Sequence, residues 1–171
     1  MAERELITAE ELRRILSYDA QTGIFTWIEV RCLKQRGSIA GKKHNRGYWN
    51  IRIGGRNGNL YLAHRLAWLY MTGKWPENQI DHINGIRNDN RWGNLREATS
   101  NQNNQNGPTR RNGLKWAYLL KGKKYSRPWL SKIVVNRKII RLGVFSTEEE
   151  AHNAGCDAAK KYHGEFANTG G

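Results

Sequence analysis

The run Ile80-Asp81-His82-Ile83-Asn84-Gly85 is followed by Asn88-Asp89-Asn90-Arg91-Trp92-Gly93-Asn94-Leu95-Arg96 and then by Thr99-Ser100-Asn101-Gln102-Asn103-Asn104. This stretch leaves little choice of local fold. Thr99 with Gln102 forms a capping-box signature, which predicts a helix from about Ser100 with Asn103 about one turn in. The residues before it read as a hairpin-like segment, so the expected unit is a compact ββα. Within it a carboxylate stands beside a histidine, with Asn94 twelve residues after that histidine and Asn103 twenty-one after.

These residue types suit one-metal phosphodiester hydrolysis. Such chemistry needs a nucleophilic water, a Lewis acid on the phosphoryl oxygens and stabilisation of the leaving 3′ oxygen. Asp81 can hold a hard cation, for which carboxylate and amide oxygens are suitable donors. His82, with an ordinary pKa near ~6.5, can accept a proton at neutral pH. Neighbours on a strand point to opposite faces, so both act together only if the backbone bends there or they flank the phosphate. A lone Asp-His pair is common and favours the reading of loop polarity; the full spacing pattern is what makes the motif specific.

Charge points to a polyanionic partner. The chain of 171 residues carries 29 Lys and Arg against 15 Asp and Glu, a formal net charge of +14. Residues 30–76 hold ten basic residues and no acid, and residues 107–143 hold eleven and none. Trp, Tyr and Gly interleave with these cations, as on a nucleic-acid-binding surface. No apolar run approaches the ~18–20 residues of a membrane span. The N-terminus mixes charges of both signs and lacks a signal-peptide core, so the expected location is the cytoplasm. Cys32 and Cys156 form no Cys-x-x-Cys pair, so neither a disulfide framework nor a structural zinc site is expected.

Upstream of the motif the chain predicts a helix over residues 6–16, capped by Thr8 with Glu11, then a turn at residues 18–23 and a strand at 24–27. Residues 48–53 alternate as a strand, with 60–62 as partner across a Gly-rich turn. The polar face of that ribbon would set Arg52 against DNA. A helix over 64–72 ends at Gly73 and Pro76; His64 on it reads as a structural histidine. Asn106-Gly107-Pro108-Thr109 begins a linker. Beyond it, strands are expected at 129–136 and 138–145 around an Asn136-Arg137 turn, with a weaker one at 114–119. A helix follows, capped at Ser146-Thr147 and closed by His163-Gly164. Val134, Ile139, Leu142 and Phe145 are the expected core of this part.

The pattern Asp-His-x-x-Gly, Asn-Asp-Asn-Arg-x-x-Asn-Leu-Arg and Thr-x-x-x-Asn resembles the HNH endonucleases, particularly phage and intron-encoded homing enzymes. The resemblance extends through Ala63-His64-Arg65-Leu66-Ala67-Trp68 and Thr72-Gly73-Lys74-Trp75-Pro76. It implies a ββα-metal fold with His82 as general base and Asp81 as metal ligand. Asn94 matches the middle asparagine, which braces the loop. Asn103 stands where many members carry a third histidine, and a subgroup of homing nickases uses an asparagine there as a metal ligand; Asn90 is the alternative. The implied ion is Mg²⁺, with Mn²⁺ as its substitute. The implied products are a 3′-hydroxyl and a 5′-phosphate.

Residues 109–168 resemble the Apetala/ethylene-response-factor DNA-binding domain, through Gly113-Leu114-Lys115-Trp116, Trp129-Leu130-Ser131-Lys132-Ile133, Arg141-Leu142-Gly143-Val144-Phe145 and His163-Gly164-Glu165-Phe166-Ala167-Asn168. That resemblance implies a three-stranded sheet laid in the major groove. Trp116, Trp129, Lys132 and Arg141 would be its contacts, with Arg137 at the turn. For each aromatic, packing against the helix is the competing role. Residues 118–128 form a longer hairpin than usual.

The expected protein is α+β. An N-terminal β-rich extension and nuclease module would occupy residues 1–107, with its core at about 60–106. A small three-stranded antiparallel sheet with a helix would occupy 108–171. The expected activity is a metal-dependent, site-specific homing nickase, acting on double-stranded DNA as a monomer, in the bacterial host cell if phage-encoded. A catalytically silent DNA-binding regulator and a binder of structured RNA are the alternatives.

Overall fold

The structure, a computed structural model, describes residues 6–29, 36–107, 114–120 and 126–169. Cys32, part of the linker after Gly107 and the middle of the long hairpin at 118–128 lie outside the described residues. Among those described, the chain is a mixed α/β protein of small antiparallel sheets and four α-helices. It divides into two compact units, Met1–Ala98 and Thr99–Gly171.

The first unit begins with α1 (Ala9–Ile15), whose N-cap Thr8 accepts from Glu11 N while Glu11 returns the bond in a complete capping box. The helix is shorter than the expected 6–16. Leu16 takes extended dihedrals and starts β1 (Leu16–Asp19), which pairs with β2 (Ile24–Trp27). The sequence reading contained no such strand. Leu16 is fully buried, so burial of its side chain in the core outweighs continuation of the helix. Next come β3 (Lys42–Lys43), β4 (Trp49–Ile53) and β5 (Asn59–Leu62) in one antiparallel sheet. Alternation along β4 buries Ile51 and exposes Arg52. Helix α2 (Ala63–Thr72) turns Leu66, Ala67 and Leu69 inward, where they pack with Leu12, Phe25 and Ile51. The unit closes with β6 (Gln79–His82) and β7 (Leu95–Ala98), an antiparallel pair that contributes Ile80 and Leu95 to the same core.

The second unit starts with α3 (Ser100–Gln105), carrying the capping box between Thr99 and Gln102. The ammonium of Lys115 donates to the carbonyls of Gln105 (3.3 Å), Gly107 (2.8 Å) and Asn168 (2.8 Å), closing off the end of that helix. Strands β8 (Ala117–Leu119), β9 (Trp129–Val135) and β10 (Lys138–Phe145) form a sheet in the order β10-β9-β8. Asn136 and Arg137 are both left-handed, with φ of 49° and 65°, the two-residue hairpin turn the sequence predicts. Helix α4 (Glu148–His163) has Thr147 as its cap and covers one face of the sheet.

That face is built from Trp116, Ile133, Val135, Ile140 and Leu142 against Ala158 and Ala159. Two expected core residues are not there. Val134 and Ile139 sit opposite each other across β9 and β10 and are 54% and 62% exposed. The period of two sends them to the open face because their neighbours Ile133 and Ile140 take the covered one. Leu142 packs in the core as expected, and Phe145 is half-buried. Among the described residues no helix is long and apolar enough to cross a membrane.

Candidate active site around Asp81 and His82

The β6–β7 register brings Asp81 directly opposite Arg96 and His82 opposite Leu95. Asp81 is almost fully buried. Its Oδ2 accepts from Arg96 Nε at 2.9 Å and lies 2.8 Å from a second guanidinium nitrogen. A carboxylate held so deep requires a matched cation, and Arg96 supplies it from the paired strand.

His82 is the last residue of β6. After it the chain turns, with Gly85 N donating to His82 O and Gly85 at φ +73°. Asn94 ties this loop shut. Its Oδ1 accepts from Asn84 N at 3.0 Å, its Nδ2 donates to Asp89 O at 2.8 Å, and its carbonyl accepts from Ile83 N. Asp89 in turn receives Arg91 on both carboxylate oxygens and Asn84 Nδ2 on one. The Arg91 hydrogen bonds are the main reason its carboxyl is held down at about 2.

Asn90, the alternative amide ligand, sits beside the histidine. It is buried, and its Oδ1 lies 3.2 Å from His82 Nε2. With the amide oxygen accepting, Nε2 carries the ring proton and Nδ1 the basic lone pair. Asn90 is therefore placed to fix the tautomer of the His82 imidazole. Its carbonyl accepts from the Tyr18 hydroxyl at 2.6 Å, and Trp92 N donates to Ala20 O, so the β1–β2 turn buttresses the loop. The approach is close at Gly23: a Cβ there would lie 2.4 Å from Asn90 C and Arg91 N, and its φ is +73°. Gly23→Ala is expected to cost about 1–3 kcal/mol in urea unfolding, because strain and overpacking act together and the contacting atoms are backbone.

Burial is the largest influence on His82 and pushes its pKa below the usual histidine range; Asn90 and Asp81 oppose this, while the charge of Arg87 adds to it. The ring is thus neutral at pH 7 and ready to take a proton. His64, on α2, lies edge-to-face with it at 5.0 Å between ring centroids, and Tyr48 is 5.3 Å from His64 and 6.1 Å from His82. His64 Nδ1 is buried with no hydrogen-bond partner among the described residues, and burial lowers this histidine to about 3. The unfolded chain protonates it near ~6.5. Below that pH the unfolded state binds a proton that the folded state refuses, so stability falls as pH falls from about 6.5 toward 3. A denaturant-midpoint series from pH 7 to pH 5 is expected to show a loss of up to ~1.4 kcal/mol per pH unit from this residue. His64→Phe should flatten the series.

Among the described residues no three His, Cys, Asp or Glu side chains gather into a closed metal cage. A single carboxylate is the kind of donor used by hard divalent ions that keep several waters and complete their shell with substrate phosphate. The amide candidate Asn103 lies on α3, in the second unit.

The expected DNA contacts divide in two. Arg52 is exposed on β4 and donates to Gly58 O. Lys132 and Arg141 are cross-strand neighbours; Lys132 shares the parity of exposed Val134 along β9, and its ammonium lies 4.6 Å from the Tyr118 ring centroid. Arg137 is exposed at the turn. Trp116, expected on the contact face, is only 8% exposed and belongs to the core under α4, where a Cβ on Gly155 would come 2.5 Å from its own. Trp129 is half-buried and shares the parity of core residues Ser131 and Ile133. For Trp116 the competing packing role describes its surroundings better.

Residues 61–105 match the family model of the HNH endonucleases, from the middle of β5 to the end of α3. This segment is an HNH endonuclease domain, and the loop just described is its centre. The match stops short of residues 109–168. No curated protein and no solved structure matches the chain.

Proposed function

We propose that the chain is a divalent-metal-dependent, site-specific DNA endonuclease of the homing-nickase kind, acting on duplex DNA as a monomer. The observation that carries this is the pairing of two buried groups at the end of β6, Asp81 on its arginine and His82 on its asparagine, in a loop closed by Asn94. His82 Nδ1 removes a proton from a water, whose oxygen attacks phosphorus. The bond to the 3′ oxygen breaks, that oxygen leaves with the electron pair and is protonated from solvent, and a 5′-phosphate remains. Asn90 keeps the imidazole in one tautomer, and Asn94 keeps the loop in place. Asp81 and Asn103 would hold the ion, Mg²⁺ or Mn²⁺, which supplies Lewis-acid stabilisation of phosphoryl charge when bound.

Affinity and site choice would come from Arg52 and from Lys132, Arg137 and Arg141 of the second sheet, whose open side presents cations beside Val134 and Ile139. A single active site per chain cuts one strand. The test is end chemistry. Supercoiled plasmid carrying the target should become open circles that DNA ligase reseals, because sealing requires a 3′-hydroxyl beside a 5′-phosphate. Open circles refractory to ligase would contradict the mechanism, linear product would contradict monomeric nicking, and binding without cutting would leave a silent regulator.

A further inference from the structure

The site holds two carboxylates, Asp81 and Asp89, and three arginines, Arg87, Arg91 and Arg96. Each carboxylate has its own arginine, Arg96 for Asp81 and Arg91 for Asp89. Arg87 is different. It is exposed, and it has no carboxylate within ion-pair distance among the described residues. Its guanidinium lies over the Tyr48 ring, 5.2 Å from the centroid, and one nitrogen donates to Arg46 O at 3.0 Å. The same Tyr48 ring borders His64 and His82. A cation is therefore held on the same ring that borders His82, with most of its five N–H donors uncommitted and no carboxylate within ion-pair distance among the described residues.

We infer that Arg87 is a further catalytic residue of this site, its guanidinium binding the non-bridging oxygens of the phosphate that is attacked beside His82. The inference rests on the nuclease reading above. Stacking on Tyr48 and the bond to Arg46 O immobilise the fork before DNA arrives, so little side-chain entropy is lost on engagement. Charge that develops on phosphoryl oxygens in the transition state then meets a donor already in place. The sequence alone did not single Arg87 out; the stacking partner lies 39 positions away in the chain.

Two readings of Arg87→Met in the full chain decide the matter. The first is the salt dependence of duplex binding, measured in EDTA on a His82→Ala background. Losing one phosphate contact should reduce the log–log slope by about 0.9. The second is single-turnover nicking at saturating protein, which should fall about 10²-fold, as for loss of one transition-state donor. Arg87→Lys should recover part of that rate, and Tyr48→Ala should reproduce part of the defect by removing the platform. An unchanged slope overturns the inference. A reduced slope with an unchanged rate assigns Arg87 to a flanking phosphate and overturns its catalytic role. If the otherwise unmodified protein nicks no faster than His82→Ala, the nuclease reading itself fails, and the inference falls with it.

Discussion

The His82→Ala protein is expected to nick its target about 10²–10⁴-fold more slowly while still binding duplex DNA. The imidazole is the only group in the loop that is neutral at pH 7, oriented by a side-chain partner and basic enough to take a proton from water. Removing it should leave the loop standing, because Asn94 and Asp89 close it through bonds that do not involve His82. The unmodified protein should also show a characteristic pH profile. A base whose pKa is lowered by burial loses activity only when the pH drops through that lowered value. The acidic limb of kcat/KM is therefore expected below ~6.5, the point at which an exposed histidine would titrate. Asn90→Ala should weaken the hold on the tautomer and lower the rate without removing the limb.

Asp81→Ala should have two separable effects. Removing the carboxylate leaves Arg96 without its buried partner, and breaking a buried pair in this way costs about 3–5 kcal/mol. The midpoint of urea unfolding should drop accordingly. Cleavage should also be lost, because Asp81 is the proposed ligand of the ion. The double variant Asp81→Ala with Arg96→Met separates the two, since removing both charges relieves the stability penalty. Recovered stability with no recovered cleavage would assign Asp81 to catalysis. Recovered cleavage would make it a purely structural partner of Arg96.

Local rules made much of this fold legible in the sequence. The three capping boxes, at Thr8, Thr99 and Thr147, all cap the helices they predict, because the bonds that make them lie within four residues. The Asn136-Arg137 turn followed from the two strands that flank it. Long-range pairing was not legible. β1 exists because Leu16 and Tyr18 are buried and pair with Trp27 and Phe25, and nothing between residues 16 and 19 announces a strand. In β9 and β10 the apolar residues are consecutive, so periodicity could not choose between Val134 and its neighbour Ile133. The small side chains of α4 made that choice.

The site shows the same division. The sequence picks out Asp81, His82 and Asn94 because their spacing lies within one hairpin. Arg96 as partner to Asp81 required the strand register, and Asn90 as partner to His82 required the conformation of the loop. Tyr18 and Gly23 support that loop from about seventy residues away, beyond the reach of any motif.

The most direct measurement is the conversion of supercoiled target plasmid by the full chain with Mg²⁺, with EDTA, and with Mg²⁺ and the His82→Ala protein. Open circles that form only with the unmodified protein and Mg²⁺ are the predicted result. Nicking that persists in EDTA or survives loss of His82 would contradict the account, as would firm duplex binding with no cleavage of any strand.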